Sequence, residues 1–546
     1  MARARPWLAA AVLAALQGAL LVDTAWDKSE VGDEPTYLAA AALAFAHRDL
    51  DFNREAPVLP KWGFALGLRA VDPSVAQTPA RRDWAATHVL WSKTVDGMRR
   101  DLLGARMATI LMTILGGLCL WRAASRFGPG PALVTHALWC VSPSILANGA
   151  LATLDGWVTA FLCVVILAAV RYCEAPGPLR AAAWGAALGL AAACKVTSLA
   201  AVPVALMVGA VAWKRQGRPG GLPAAWKAAG AFAASGFLAL WAAYLLSTGP
   251  VTAAEGPGFV LAPFPQWWGG LLQQWGVAGA GHSTYLFGEV RSTGWWWFYL
   301  AALALKTTIG AQALALVRLA AWARRRPLPA ERWTDAAILA YPAVLLLLLS
   351  VGRTQTGIRY LLPAFPFAML WAGRALTDAV RAFGPAAGRA AVAVAVLASA
   401  AESLAVHPHH LMFFNRWAGG PLGGPRYLIL GDDWGQDQRR LGEWQAANHI
   451  PTIYYAEYSG MPRRWGINYK PAPCEPKVGV FALQAVEVHR PRRTDPGCLD
   501  WLTVEPPDER LGYSIYIYVV DRERLQRLAT ERATARPFWR SGAPSP

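Results

Sequence analysis

Apolar residues in this chain fall into long blocks separated by short basic or long aromatic-rich segments. A bilayer core about 30 Å thick takes roughly 17–25 apolar helical residues to cross. Blocks of that kind lie near 7–22, 103–121, 131–147, 154–170, 180–194, 196–212, 228–247, 295–317, 334–351, 358–377 and 388–406, which predicts about eleven spans. The pair 180–194 and 196–212 is separated only by Lys195. The alternation of basic residues keeps them as two. With Arg3 and Arg5 inside, the clusters Arg122/Arg126, Arg171/Arg180, Lys214/Arg215/Arg218, Arg324/Arg325/Arg326/Arg332 and Arg374/Arg381/Arg389 all fall on the same side, as the positive-inside rule requires. Merging the pair into one tilted helix breaks that pattern. The basic start and first apolar block also fit a cleaved signal peptide; a retained first span is the reading carried forward.

Three long segments then lie outside: 23–102, 248–294, and the tail from 407 to 546. The expected organisation is a helical membrane body over 1–406, with external loops 23–102 and 248–294, and an external α/β domain over 407–546. Trp267, Trp268, Trp275 and the run Trp295–Tyr299 suit an interface belt. In the tail, Tyr427–Leu430 reads as a strand and 436–448 as a helix. Thr452–Tyr455, Val478–Leu483 and Tyr513–Val520 read as further strands, followed by a polar helix near 521–535. Asp432 and Asp433, after the first of these strands, are either a ligand-facing pair or helix caps.

Composition sharpens the picture. Of 546 residues 55% are hydrophobic and only 16% charged, well below the quarter typical of soluble domains, so disorder and a small disulfide scaffold are excluded. The 52 basic and 35 acidic residues give a net charge of +17. In a soluble protein that excess points to nucleic acid; here the basic residues sit in short inner loops, so no nucleic-acid partner is expected. Of the seven cysteines, Cys119, Cys140, Cys163, Cys173 and Cys194 lie in or beside spans without metal-ligand spacing. Cys474 and Cys498 share the tail, where a disulfide is permitted.

Ionisable groups at apolar segments mark function. Asp33 and Glu34 open the first external segment, where capping of the helix that begins at Pro35 is the simplest account. Asp155 lies at the mouth of another span, Lys195 between two spans, and Arg353, Arg359 and Tyr360 in a short external turn. Asp33, Asp155, Lys195, Arg353 and Arg359 all face one side in this topology. Lys306 lies about 16 Å past Trp295 at 1.5 Å per residue, which makes it a cavity, lipid-pairing or ion-pair residue. Acids and cations at one membrane face describe a site for an anionic lipid-borne substrate: cations hold a phosphate and a carboxylate takes a proton from an acceptor hydroxyl. A transporter or flippase of a lipid-linked sugar is the competing reading. Such proteins concentrate charge nearer the midplane and often carry internal repeats, which this sequence lacks.

The order of several short motifs resembles the polyprenyl-phosphate-dependent GT-C glycosyltransferases, in particular the bacterial branch containing protein O-mannosyltransferases and aminoarabinose transferases. They are Gly32-Asp33-Glu34-Pro35-Thr36-Tyr37, Glu55-Ala56-Pro57-Val58-Leu59-Pro60-Lys61, Leu154-Asp155-Gly156-Trp157, Cys194-Lys195, Gly281–Glu289, Gly294-Trp295-Trp296-Trp297, Lys306-Thr307, Gly357–Pro363, Phe413-Phe414-Asn415 and Asp433-Trp434-Gly435-Gln436-Asp437. The resemblance implies a multi-pass protein of a bacterial inner membrane, with a cytoplasmic N-terminus and a periplasmic C-terminal domain. It would move a sugar, with inversion, from a polyprenyl phosphate of the undecaprenyl kind to a protein, lipid or glycan acceptor.

The same resemblance makes Asp33 the general base, with Glu34 supporting it or a cation, and has Asp155 orienting the acceptor or a basic neighbour. Lys61, Lys195 and Arg359 become phosphate ligands, with Tyr360 hydrogen-bonding the same group. Tyr37, His282, Tyr285 and Glu289 are assigned to the sugar or acceptor pocket. A divalent cation is an optional part of the clamp, with Glu55 and His282 as its candidate ligands; Ala56 stands where the family often has a histidine, which weakens that metal site. His407-Pro408-His409-His410 reads as a junction between the last span and the tail.

Overall fold

A computed structural model describes residues 6–80, 94–251, 260–281, 283–324, 329–490 and 497–531. The helices in chain order are α1 (Pro6–Asp27), α2 (Glu34–His47), α3 (Val58–Val71), α4 (Val95–Ala124), α5 (Pro129–Val141), α6 (Pro143–Gly149), α7 (Leu154–Glu174), α8 (Pro178–Ala192) and α9 (Ala201–Arg215). They continue with α10 (Gly221–Ala243), α11 (Pro265–Ala280), α12 (Phe298–Lys306), α13 (Ile309–Arg324), α14 (Pro329–Val351), α15 (Phe365–Gly373), α16 (Ala375–Phe383) and α17 (Pro385–Leu404). Two short antiparallel hairpins, β1 (Thr248–Pro250) with β2 (Leu261–Pro263) and β3 (Thr284–Leu286) with β4 (Glu289–Arg291), interrupt the series.

Among the described residues six helices are long and apolar enough to cross a membrane, and two bent pairs raise the number to eight if each pair is one span. The expected eleven are therefore not reproduced one for one, and the departures have local causes. Pro143 breaks the 131–147 block into α5 and α6, bent by 58°, and the 295–317 block turns by 116° between α12 and α13. Proline removes a helical hydrogen bond and clashes with the preceding turn; in 358–377, Pro363 and Pro366 accordingly leave a 3₁₀ turn (Ile358–Ala364) and the short α15. The exposed start of α13 is closed by Glu402, which accepts from the Ile309 N–H at 2.7 Å. The 180–194 and 196–212 blocks form separate helices, with Lys195 at the break.

Without a hydrophobic drive between helices in lipid, close contact relies on small residues. The α8 sequence Gly185-Ala186-Ala187-Leu188-Gly189 lies directly on α10: a Cβ on Gly185 would strike the Phe232 carbonyl, and one on Gly189 the Gly236 carbonyl. At the opposite end of the body from Asp33, Arg318 bridges Asp335 and Asp378 at 2.7–2.8 Å, and Arg374 joins Asp335, so that α13, α14 and α16 are tied by one buried network.

Residues 405–437 form an irregular strip laid on the helical body. Asn415 donates to the carbonyls of Ala304 and Thr307 at 2.6 and 2.9 Å, closing the end of α12. The predicted strand at Tyr427–Leu430 is instead a turn region, with Leu428, Ile429 and Leu430 buried. A short apolar run does not by itself distinguish a strand from a packed turn, and here the three side chains are spent on the junction. Beyond it the other predicted elements appear, a helix at Gln438–Ala447, strands β5 (Ile453–Ala456), β7 (Gly479–Gln484) and β9 (Ile515–Val520) and a final helix at Arg522–Glu531, joined by two short strands that the sequence pattern does not mark, β6 (Tyr469–Pro471) and β8 (Glu509–Leu511). The sheet order is β6-β5-β7-β9-β8, parallel around β5 and antiparallel around β9. Cys474 and Cys498 form a disulfide.

One buried ion pair sets the loop between α1 and α2. Arg106, inside α4, spends every guanidinium N–H on that loop: Nε and Nη2 donate to the two Glu34 oxygens at 2.8 and 2.6 Å, Nη1 to the carbonyls of Ala25 and Lys28, and Nη2 to that of Ser29. Glu34 in turn accepts from the Val31 N–H at 3.0 Å and from the Ala152 N–H at 2.7 Å. Both side chains are fully buried.

Arg106→Met leaves the Glu34 carboxylate buried without its charge partner, and the thermal unfolding midpoint in detergent is expected to fall by an amount corresponding to about 3–5 kcal/mol. Gly189→Leu drives a side chain into the α10 backbone; a loss of about 3 kcal/mol or more is expected from the same melting measurement, and Gly189→Ala is expected to lose less.

Candidate functional site

Four charged residues from distant parts of the chain meet at one point. Asp33 comes from the start of α2, Asp155 from the first turn of α7, Lys195 from the break after α8, and Arg359 from the 3₁₀ turn before α15. Arg359 Nη1 donates to Asp33 Oδ2 at 2.9 Å and lies 4.0 Å from Asp155 Oδ2. Lys195 Nζ donates to the other Asp155 oxygen at 2.5 Å. The Tyr360 ring carries the Lys195 ammonium 4.6 Å and the Arg359 guanidinium 5.3 Å from its centre. Tyr37, one turn beyond Asp33, completes the group; burial and the adjacent Asp33 charge raise its phenol pKa.

The capping account of Asp33 does not hold. It occupies the N-cap position of α2, yet its side chain makes no cap hydrogen bond and turns to Arg359. Its side chain is 41% exposed, whereas those of Asp155, Lys195 and Arg359 are 5–13% exposed; Asp33 is the acid an incoming group reaches. Burial opposes the charge on Arg359, but Asp33, Tyr360 and Asp155 outweigh it and raise the guanidinium pKa. Two cations and two anions neutralise one another here, and the buried Arg359 Nε has no hydrogen-bond partner among the described residues.

The remaining sequence candidates go elsewhere. Glu34 does not face the group: both its oxygens are taken by Arg106 and by backbone N–H groups of Val31 and Ala152. It acts on the site through position, since the Ala152 bond ties the start of α2 to the turn that leads into Asp155. Lys61 is buried and donates to the carbonyls of Phe52 and Asn53 at 3.1 and 2.8 Å. Burial pushes its ammonium down to about 7 despite Asp49, Glu55 and Asp51, and its hydrogen bonds go to those two carbonyls and not to the charged group. Tyr285 is buried with its hydroxyl on the Arg426 carbonyl at 2.6 Å, fastening the β3–β4 hairpin to the strip after α17. Glu289 is exposed and pairs with Arg291.

Of the two candidate metal ligands only Glu55 lies among the described residues. Glu55 accepts from Gln273 at 3.1 Å, and His282 lies outside the described residues. Among the described residues the group of acids and imidazoles close enough to share an ion is Asp27, His409 and Asp437, and the Lys28 ammonium already lies among them, 3.1 Å from Asp27 and 2.6 Å from Asp437. Burial alone would raise Asp437, but Lys28 and His409 outweigh it and hold the carboxyl below its usual range. His407 pairs with Asp23 at 2.7 Å and His409 with Lys28, so the histidine run is a junction with α1.

Two contributors, Arg106 and Glu30, stand outside the sequence motifs, and Trp434 and Asp433 lie in them, with Asp432 beside them, without an assignment to this cluster. Arg106 is a cation within an apolar span, and that alone was a legible signal. Trp434 places its ring 3.8 Å from the Arg359 guanidinium. Asp432 pairs with Lys306 at 2.9 Å, and burial raises its carboxyl to about 6 against the pull of Lys306 and Arg359. Asp433 is pushed to about 7 by burial although it accepts from the Val486 N–H, which closes the start of the short helix Ala485–His489. Glu30 joins the α1–α2 loop to the tail by accepting from the Met461 N–H and the Trp465 indole; burial pushes it up to about 7.

Residues 98–244 match the family model described as dolichyl-phosphate-mannose-protein mannosyltransferase. No curated protein sequence matches the chain. Among solved structures, ArnT from Cupriavidus metallidurans bound to undecaprenyl phosphate is similar over 93% of this chain and 97% of that one, at 13% identity and a TM-score of 0.50. The apo state of the same protein gives the same values. At that identity the likeness is one of fold, and the fold is the GT-C type. The chain is thus a multi-pass membrane protein with an ArnT-like fold over nearly its whole length, and its residues 98–244 are similar to the mannosyltransferase family model.

Proposed function

We propose that the chain is an integral-membrane glycosyltransferase that takes a sugar from a polyprenyl-phosphate donor and passes it, with inversion, to an acceptor hydroxyl. The observation that carries the reading is the convergence of Asp33, Asp155, Lys195 and Arg359, with a guanidinium Nε in their midst that has no partner among the described residues. The site faces the outer side of a bacterial inner membrane, the N-terminus lies in the cytoplasm, and the α/β tail from 407 onward is periplasmic. Protein, lipid and glycan acceptors all offer the hydroxyl this chemistry uses.

The donor is a phosphodiester with one negative charge. Its phosphate competes with Asp33 for Arg359 and with Asp155 for Lys195, so donor binding frees the exposed Asp33 carboxylate. The acceptor oxygen attacks the anomeric carbon from the face opposite the phosphate and forms the new glycosidic bond. The old carbon–oxygen bond breaks and its electron pair stays on the phosphate oxygen. Asp33 takes the acceptor proton. Leaving-group phosphate gains a second negative charge in this step, so Lys195 and Arg359 hold the transition state more strongly than the bound donor. An apolar cleft of about 500 Å³ lies between α5, α12, α13, α15 and α17 and is lined by Phe365, which follows Arg359 on the same run of chain; it offers the lipid's hydrocarbon a dry path.

Purified protein given a labelled polyprenyl-phosphate sugar and an acceptor extract is expected to release the lipid phosphate. Asp33→Asn is expected to lower that turnover by about 10²–10⁴-fold, the range of a lost general base, while the melting midpoint and lipid-phosphate binding persist. Normal turnover in Asp33→Asn overturns the base assignment. Movement of intact donor between leaflets without cleavage overturns the reaction itself.

A further inference from the structure

The tail segment Asp432-Asp433-Trp434-Gly435-Gln436-Asp437 has no part in the chemistry above, yet it is built into the wall of the site. The Trp434 ring lies 3.8 Å from Arg359 Cζ, and only 6% of the residue is exposed. Its own position is fixed from several directions. Its N–H donates to Gln436 Oε1 at 2.7 Å, and its carbonyl accepts from the Gly32 N–H at 3.1 Å, next to Asp33. The indole packs with Val31, Ala147, Leu151 and Leu411. Just upstream, the tail backbone presses on the turn that carries Arg359. Gly431, at φ +86°, has room for no Cβ because the Thr356 carbonyl would be 2.8 Å away; Gly357, at φ +68°, faces the Leu430 carbonyl in the same way at 2.7 Å. The segment therefore touches the chain beside Asp33 and the chain beside Arg359 at once.

Arg359 has little else to define the plane of its guanidinium. Among the described residues its side-chain hydrogen bond runs to Asp33, the group that must let go for Asp33 to act as a base, Nε is unpartnered, and its other neighbours, Asp155 at 4.0 Å and the Tyr360 ring at 5.3 Å, are more distant than Trp434. A planar cation stacked on an aromatic face keeps its orientation without using any N–H. We propose that Trp434 is a positioning residue: it holds the Arg359 guanidinium flat so that its free edge meets the donor phosphate, and keeps it there when the bond to Asp33 is given up. The proposal rests on the reading of the charged cluster as a phosphate grip and makes the tail one wall of the donor site.

The test uses the full-length protein in nanodiscs, with undecaprenyl phosphate as the binding probe and labelled polyprenyl-phosphate sugar as the donor. Trp434→Leu is expected to weaken probe binding and raise the donor KM by about tenfold, between the values of an exposed and a fully desolvated cation–π contact, with the acceptor KM unchanged. Trp434→Phe, which keeps an aromatic face, is expected to recover most of the loss. In an Arg359→Lys background, where the planar cation is gone, Trp434→Leu is expected to add less than about twofold, because two residues acting as one unit are non-additive. Equal losses in the Phe and Leu variants, additive losses in the double variant, or unchanged probe binding in Trp434→Leu each overturn the proposal. Should the Leu variant not fold, stepwise ring fluorination of Trp434 weakens the π face at constant shape; affinity that declines with each fluorine supports the proposal and constant affinity overturns it. Trp434-dependent probe binding without donor cleavage by the wild type sinks the glycosyltransferase reading and leaves this role standing, whereas cleavage with Trp434-independent binding does the reverse.

Discussion

The placement of Asp33 depends on a guanidinium that never touches it. Arg106 satisfies five N–H groups on one short loop and one carboxylate, and Glu34 passes the constraint on to the Ala152 backbone. Desolvating two full charges is expensive, and such a pair is retained only where its geometry and its extra hydrogen bonds compensate. Here the return is positional. The loop ending at Asp33 and the turn leading into Asp155 are locked to the same side chain, so the two acids of the cluster keep a fixed separation while they exchange partners.

That separation matters because the cluster is electrically balanced without a ligand. Lys195 and Arg359 are occupied by Asp155 and Asp33, which keeps two cations in a partly buried place that would otherwise disfavour them. An arriving anion exchanges into existing contacts, and the acid most open to solvent is the one whose single strong partner has the best reason to leave. Under the proposed reaction, acceptor activation would be coupled to donor occupancy through Coulomb's law.

Much of this was legible in the chain. The apolar blocks and the one-sided arginines predict a many-helix membrane body, and the acids and cations flanking those blocks include all four members of the cluster. The misreadings share a cause. Glu34 and Lys61 sit beside the right motifs, but nothing in a sequence says whether a charge faces a ligand or a carbonyl; Arg106 and the Phe52–Asn53 turn decide that. The helices depart from the apolar blocks where Pro143, Pro363 and the Thr307–Thr308 bend divide runs whose composition alone reads as continuous. Tyr427–Leu430 has the apolar character of a strand, but the glycine and proline turns before it and the helical body beneath it leave no partner strand.

The glycine pair at 357 and 431 carries a lesson for protein engineering. Composition divides the chain near residue 406, where the last helix gives way to the tail, and a chimaera made to redirect acceptor choice would naturally be spliced there. Yet the strip from 407 to 437 interlocks with the arginine turn backbone to backbone, at a spacing no side chain tolerates. A crossover for exchanging tails between relatives therefore belongs downstream of Asp437, so that the recipient keeps its own interlocking strip, and the graft has to supply the partners of Glu30 and Asp433 at positions 461, 465 and 486.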